Sequence, residues 1–179
     1  MYFLLIIASI LPFCLGGCLN PDVVQHFNVP AYLGKWYEQE KYPQIFQVGG
    51  RCTTAEYSLN DDGTVHVLNT EQIIGDSTSS IEGTAKLVGQ NGEAKLDFSI
   101  DLKIVSPHAP YWVVDTDYTS YALVWSCQEL FGVPVSSTAW ILTREQNPPQ
   151  SLINQAYAKL EAQGIDTNKL KKTDQTNCD

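Results

Sequence analysis

Methionine is nearly absent from this chain, basic residues are scarce, and no long apolar run follows its opening residues. Each gap removes a class of function. Met1 is the only methionine, so removal of an N-terminal leader would leave no Met-based redox chemistry. The 11 Lys and Arg face 20 Asp and Glu, a formal net charge of -9, with no basic run or stripe. That balance argues against a nucleic-acid partner and against charge-driven docking on anionic lipid. No later stretch approaches the roughly 20 apolar residues of a membrane span, and no KDEL-type signal or hydrophobic anchor tail is read at the C-terminus. Gly-x-Ser-x-Gly, a Gly-rich phosphate loop, His-Glu-x-x-His and Cys-x-x-Cys are all missing, so hydrolase, nucleotide, zinc and thioredoxin-like chemistry have no starting motif. No Asn-x-Ser/Thr sequon predicts N-glycosylation. His26, His66 and His108 stand alone in sequence and read as surface or loop residues. Asp115-Thr116-Asp117 could open a calcium loop, but Tyr118-Thr119-Ser120 follows where oxygen ligands and a Gly are needed, so turn geometry explains it better. The expectation is a non-enzymatic protein with no catalytic residues, no metal and no required cofactor.

What is present begins with a leader. Phe3 to Ala8 and Ile10-Leu11 are apolar and are followed by Pro12 and the small Gly16 and Gly17, which predicts a signal peptide over 1–17 and a secreted domain over 18–179. Cys14 falls in that leader. Cys18, Cys52, Cys127 and Cys178 remain, an even set that implies two disulfides in an oxidising compartment, with three pairings open. Leu15-Gly16-Gly17-Cys18 also resembles a bacterial lipobox, which would make a membrane-tethered protein; the missing basic n-region and the even cysteine set favour disulfides.

Period-two alternation dominates from Trp36 to Thr143. Leu96, Phe98, Ile100, Leu102 and Ile104 alternate with Lys95, Asp97, Ser99, Asp101 and Lys103, giving a strand with one apolar face. Further strands are predicted at Gly34–Glu40, Thr53–Leu59, Thr64–Ile73, Ser80–Val88, Tyr111–Asp115, Ser120–Cys127 and Thr138–Thr143, with turns at Asn60-Asp61-Asp62-Gly63 and Gly89-Gln90-Asn91-Gly92. Eight consecutive strands joined by short turns predict an all-β fold, an eight-stranded antiparallel up-and-down β-barrel. After Thr143 the period changes. A start at Asn147 before Pro148-Pro149, an apolar stripe of Leu152, Ile153, Ala156, Tyr157 and Leu160, and a stop near Gly164 predict one C-terminal α-helix packed outside. A polar tail follows from Ile165.

Gly34-Lys35-Trp36-Tyr37-Glu38, Thr116-Asp117-Tyr118 and Thr143-Arg144 fall in the order and spacing of the three signature regions of the lipocalin family. Ala109-Pro110-Tyr111-Trp112, Tyr121-Ala122-Leu123-Val124, Ala139-Trp140-Ile141-Leu142 and Thr173-Asp174-Gln175 extend the likeness, and over nearly the whole mature chain it resembles the apolipoprotein D-like branch, including its insect and bilin-binding members. The resemblance implies a calyx that carries a small hydrophobic ligand, a pigment among the options, without acting on it. It implies the pairings Cys18–Cys127 and Cys52–Cys178, each closing a long loop for which the chain-entropy model gives about 4 to 5 kcal/mol. It also implies that Gly34, Trp36, Thr116, Asp117, Tyr118 and Arg144 close one end of the barrel, with Arg144 stacked on Trp36 for about 0.5 to 2 kcal/mol and Asp117 capping turn backbone.

Ligand contact is expected from Tyr57, Asn69 and Trp140, which align with pocket-facing positions, joined by Leu142 with the parity of Trp140 and by Leu102 on the cleanest apolar face. Tyr42–Phe46 and Ser106–Tyr111 are expected as loops, so Ile45, Phe46 and Tyr111 would be exposed apolar residues able to act as a lid or to touch a membrane or protein partner. Two further functional options stay open: an enzyme acting on a lipid, as one lipocalin branch does with an unpaired cysteine, and a subunit of a pigment-carrying assembly.

Overall fold

The computed structural model describes residues 16–43, 50–73, 77–100 and 106–178. A one-turn helix α1 (Val29–Tyr32) precedes eight strands: β1 (Gly34–Lys41), β2 (Arg51–Leu59), β3 (Val65–Ile73), β4 (Ser77–Leu87), β5 (Lys95–Ser99), β6 (His108–Thr116), β7 (Tyr121–Leu130) and β8 (Val133–Thr143). Helix α2 (Gln150–Ala162) and a two-residue strand β9 (Lys171–Lys172) follow. From β1 to β8 each strand pairs antiparallel with the next, β1 closes the ring by pairing with β8 as well as β2, and β9 adds to β1. Closure leaves no long unpaired edge among the described residues, which is how an all-antiparallel meander avoids edge-to-edge association.

Alternation divides the side chains between two cores. Inside the barrel lie Trp36, Ala55, Tyr57, Val65, Val67, Ala85, Leu96, Val113, Ala122, Val124 and Leu142. Outside, Ile153, Ala156 and Leu160 of α2 cover Leu123, Trp125, Ala139 and Ile141 of β7 and β8. Two successive residues such as Ile141 and Leu142 therefore serve different cores, and a one-residue slip would exchange them.

Several boundaries differ from the sequence expectation. The β6 strand begins at His108 inside the expected loop, because Pro110 sits near its start, where a missing N–H is tolerated. The β7–β8 hairpin runs through residues expected as a connection: Phe131 (φ 53) and Gly132 (φ 77) make a two-residue left-handed turn, which lets the strands pair up to Leu130 and Val133. The cleanest predicted strand is assigned only to Ser99, and its residues 101–105, Leu102 among them, lie outside the described residues, as do Ile45 and Phe46. The α2 helix starts at Gln150 rather than Asn147; Pro149 is its cap and supplies no side-chain bond.

The tail is more than a tether. Strands β1 and β2 pair only from Gly34 to Tyr37 before diverging, and the C-terminal segment fills the gap. Gln175 Nε2 donates to the carbonyls of both Glu38 and Thr53 at 2.8 Å, Cys52 N donates to Asp174 O at 2.8 Å, and Thr173 N donates to Gln39 O at 2.8 Å. A side-chain amide thus supplies the ladder bonds that the separated strands cannot give each other. The disulfides join Cys18 to Cys127 and Cys52 to Cys178, the second fastening this clasp.

Candidate functional site: the barrel interior

The closed end is built around Arg144. Its guanidinium lies 3.7 Å from the centre of the Trp36 ring, and Trp36 is fully buried. Nε donates to Tyr118 O at 3.0 Å, Nη1 to Lys35 O at 2.9 Å, and Nη2 to Leu33 O at 2.9 Å and Ala31 O at 3.1 Å. One side chain so ties β8 to α1, to the start of β1 and to the β6–β7 turn. Gly34 makes this approach possible: its φ of 91° suits glycine, and a Cβ there would lie 3.4 Å from Arg144 Nη1. In the β6–β7 turn, Asp117 Oδ1 accepts from the backbone N–H groups of Thr119, Ser120 and Tyr121 at 3.0, 2.7 and 3.1 Å. Partial burial works against its charge, yet these donors outweigh it and hold the carboxyl below its ordinary range. Thr116 Oγ1 donates to Tyr121 O and accepts from Tyr118 N.

Above Trp36 the interior is aromatic. Tyr32 stacks at 5.2 Å from Trp36, and the hydroxyls of Tyr32 and Tyr57 each meet that of Tyr111 at 2.8 Å. Tyr111 therefore does not stand in an exposed loop; it lies on β6 in the parity of Val113 and points into the barrel. The sequence expectation set Tyr111 at the junction of a loop over 106–111 and a strand over Tyr111–Asp115; its pairing with Leu96 places it in the strand and sets its direction. Phe98 completes the wall because its ring lies over Gly83, where a Cβ would come within 2.5 Å of it. Burial raises the phenol pKa of all three tyrosines, Tyr57 to about 12.

Trp140 sits on β8 with its indole half-buried, 6.4 Å from the Tyr111 ring and on the inward face. Leu142 is buried lower down in the packed floor, and Tyr57 belongs to that floor through its hydroxyl. Asn69 shares the face of Val65 and Val67 and lines a recess of about 20 Å³ with Thr53, Glu71, Ser79 and Ile81. Thr53 Oγ1 and Glu71 Oε2 in that recess, and Thr138 Oγ1 across the barrel, are buried without hydrogen-bond partners among the described residues. Glu38 faces inward opposite Leu142, held by Lys41 Nζ at 3.0 Å and by the Thr173 hydroxyl at 2.7 Å. Of the expected ligand contacts, Trp140, Tyr57 and Asn69 lie on the inward face, joined there by Tyr32, Phe98, Glu38 and Tyr111, which the sequence expectation did not include; the shared parity of Tyr111 and Val113 on one predicted strand was the available signal.

At the opposite end of the barrel from Arg144, the β7–β8 tip exposes Phe131 at 97%, with Leu130, Val133 and Val135 also exposed. Among the described residues no group of three or more His, Cys, Asp or Glu could hold a metal, and no helix is long and apolar enough to cross a membrane. His66 and His108 pair on the surface with Glu82 and Asp97.

A closed eight-stranded antiparallel barrel with one helix outside, sealed by an arginine on a tryptophan, defines a calyx-type class of protein. The lipocalin-like domain model matches residues 27–175. Apolipoprotein D of Macaca fascicularis is 40% identical over 166 residues, covering 93% of this chain and 86% of that protein. The Lazarillo protein of Schistocerca americana is 30% identical over 89% of this chain and 75% of its own. Insecticyanin from the tobacco hornworm Manduca sexta shares the fold, with a TM-score of 0.77 at 23% identity over 89% of this chain and 86% of that one. The chain belongs to the lipocalin family, in its apolipoprotein D-like branch.

Proposed function

We propose that this protein is a secreted carrier that reversibly binds a small hydrophobic molecule inside the barrel and performs no chemistry on it. The observation that carries the proposal is Trp140, partly buried on the inward face and 6.4 Å from the Tyr111 ring above a packed aromatic floor. Family membership supports the same reading, and all four described cysteines are bonded, which leaves no thiol nucleophile for a lipid-converting enzyme among the described residues. Two disulfides and the apolar leader predicted over 1–17 support secretion. The bonding of Cys18 to Cys127 argues against a lipid on Cys18.

The ligand belongs to the bilin, carotenoid, retinoid, steroid or fatty-acid range. Native mass spectrometry of protein purified from its source, with an absorption spectrum, tests the proposal: a stoichiometric mass increment released by organic solvent is expected. Turnover of the bound molecule, abolished by one interior substitution, would replace the carrier with an enzyme. A stable hetero-oligomer that loses its ligand on separation would replace it with an assembly subunit.

A further inference from the structure

Three phenols form a hydrogen-bonded chain across the barrel floor, Tyr32 to Tyr111 to Tyr57, with both O···O distances at 2.8 Å. Three hydroxyls carry three hydrogens, and two contacts between them use two. Whichever way the bonds are directed, one O–H is left over. None of the three hydroxyls makes a further hydrogen bond to the described residues. An unspent donor in a buried site costs free energy until an acceptor arrives. Tyr32 and Tyr57 are sealed from solvent, while Tyr111 is only partly covered and its ring neighbours Trp140, so the cluster meets the chamber through Tyr111.

The charges facing this floor select the kind of acceptor. The Glu38 carboxylate stands inside the barrel close enough to oppose ionisation of Tyr57, and Glu71 presents to the wall recess a buried oxygen that has no partner among the described residues. Among cations, Lys41 is engaged by Glu38 at 3.0 Å, and Arg144 is spent on backbone carbonyls beneath Trp36. With Lys41 and Arg144 both engaged, a ligand carboxylate would enter a poorly solvated interior where the described cations already have partners and Glu71 adds a negative group. The elevated phenol pKa values keep all three groups protonated, so they donate rather than act as bases.

We propose that the Tyr32–Tyr111–Tyr57 floor is a docking point for a neutral carbonyl oxygen, so that the ligand is an apolar molecule with a ketone, ester or amide-type carbonyl at its deep end, bound carbonyl-first, in preference to a carboxylate or a plain hydrocarbon. This rests on the carrier reading above and names the ligand class of that site.

The test uses three probes with one polyene tail: methyl retinoate, retinoic acid at pH 8, and the hydrocarbon axerophthene. Affinities for the full disulfide-bonded protein are read from quenching of tryptophan fluorescence, and the ester C=O stretch from infrared difference spectra. Wild type should bind the ester about fivefold more tightly than the hydrocarbon, the worth of one net hydrogen bond, and more tightly than the acid. Its carbonyl band should move to lower wavenumber on binding. Tyr111→Phe keeps ring and volume but breaks the chain, so the ester-to-hydrocarbon ratio should fall to within about twofold and the band shift should vanish. Tyr57→Phe serves as a second variant, and thermal melts of both establish folding. Equal wild-type affinity for ester and hydrocarbon, tighter binding of the acid, or a ratio and band shift that survive both variants would overturn the proposal while the carrier reading stands. If none of the three probes binds wild type, this proposal falls, while the carrier reading is decided separately by native mass spectrometry of the source protein.

Discussion

The two ends of the barrel satisfy their polar groups in opposite ways. At the closed end every conspicuous donor is spent: Arg144 bonds backbone carbonyls from α1 through β1 to the β6–β7 turn, and one Asp117 oxygen gathers three N–H groups. Toward the other end, Thr53, Glu71 and Thr138 hold buried oxygens with no partner among the described residues, and Phe131 stands in solvent. A protein selected only for stability would treat both ends alike. The difference teaches that the closed end stores the stability, and that the rest of the interior is left incomplete for something that enters it.

The sharpest way to break this comparison is Trp36→Ala. The ring is fully buried, carries the Arg144 stack and supports Tyr32, so its removal leaves a cavity and a guanidinium without its aromatic face. Large-to-small core changes of this type cost about 3 to 5 kcal/mol. Urea denaturation monitored by circular dichroism should show a loss of that order. A variant as stable as wild type that has lost only ligand affinity would reverse the roles assigned to the two ends.

Trp140→Ala should do the opposite. Its indole is half-buried and faces the chamber, so removing it deletes ligand contact more than core. Affinity for a hydrophobic probe should fall about tenfold, equivalent to about 1.4 kcal/mol, while the midpoint of denaturation moves far less than in Trp36→Ala. Titration of both variants with one polyene probe makes the check. Unchanged affinity across several ligand classes would move the chamber elsewhere.

Much of this division could be read from the chain and part of it could not, for physical reasons. Alternation at Leu96 and Phe98 and the Leu152-to-Leu160 stripe are local patterns, and they predicted the strands and the outer helix, whereas the sealed end around Trp36, Asp117 and Arg144 was expected only through the family resemblance. The tyrosine floor is non-local: Tyr32, Tyr57 and Tyr111 come from α1, β2 and β6 and meet only when the ring closes. Register shifts between Glu38 and Glu40, Arg51 and Thr54, and Val113 and Asp115 also break the parity on which facing is predicted. The Gln175 clasp escaped because one side chain replaces strand pairing there, and a lone glutamine in a polar tail has no period.

Asp117→Ala sharpens the closed-end half of the comparison. Loss of a capping acceptor costs about 0.5 to 2 kcal/mol, and here three turn amides lose it together. The pH dependence has a definite sign. Because the folded carboxyl titrates below its unfolded value of about 3.9, its contribution is complete above that pH and disappears as pH falls through the folded pKa. Denaturation curves of wild type and variant should be separated at pH 7 and should converge in acid. A gap that stays constant down to the lowest pH at which both fold would remove the charge from the explanation.

Phe131→Ser carries the smallest expected effect and tests the other end most directly. Phe131 sits at the apex of the two-residue turn with a φ of 53° and is 97% exposed, so the native state gains nothing from its ring that the unfolded chain lacks. Surface changes away from caps and cores fall within about 0.5 kcal/mol, and this one should too. The neighbouring Gly132 retains the φ of 77° that the turn requires, so register between β7 and β8 is preserved and the substitution removes only apolar surface. The same denaturation experiment should give a midpoint indistinguishable from wild type. A loss above about 1 kcal/mol would mean that the ring is covered in solution, for instance by a second copy, because only burial can make an apolar side chain stabilising; the mouth would then be a contact surface rather than an open rim.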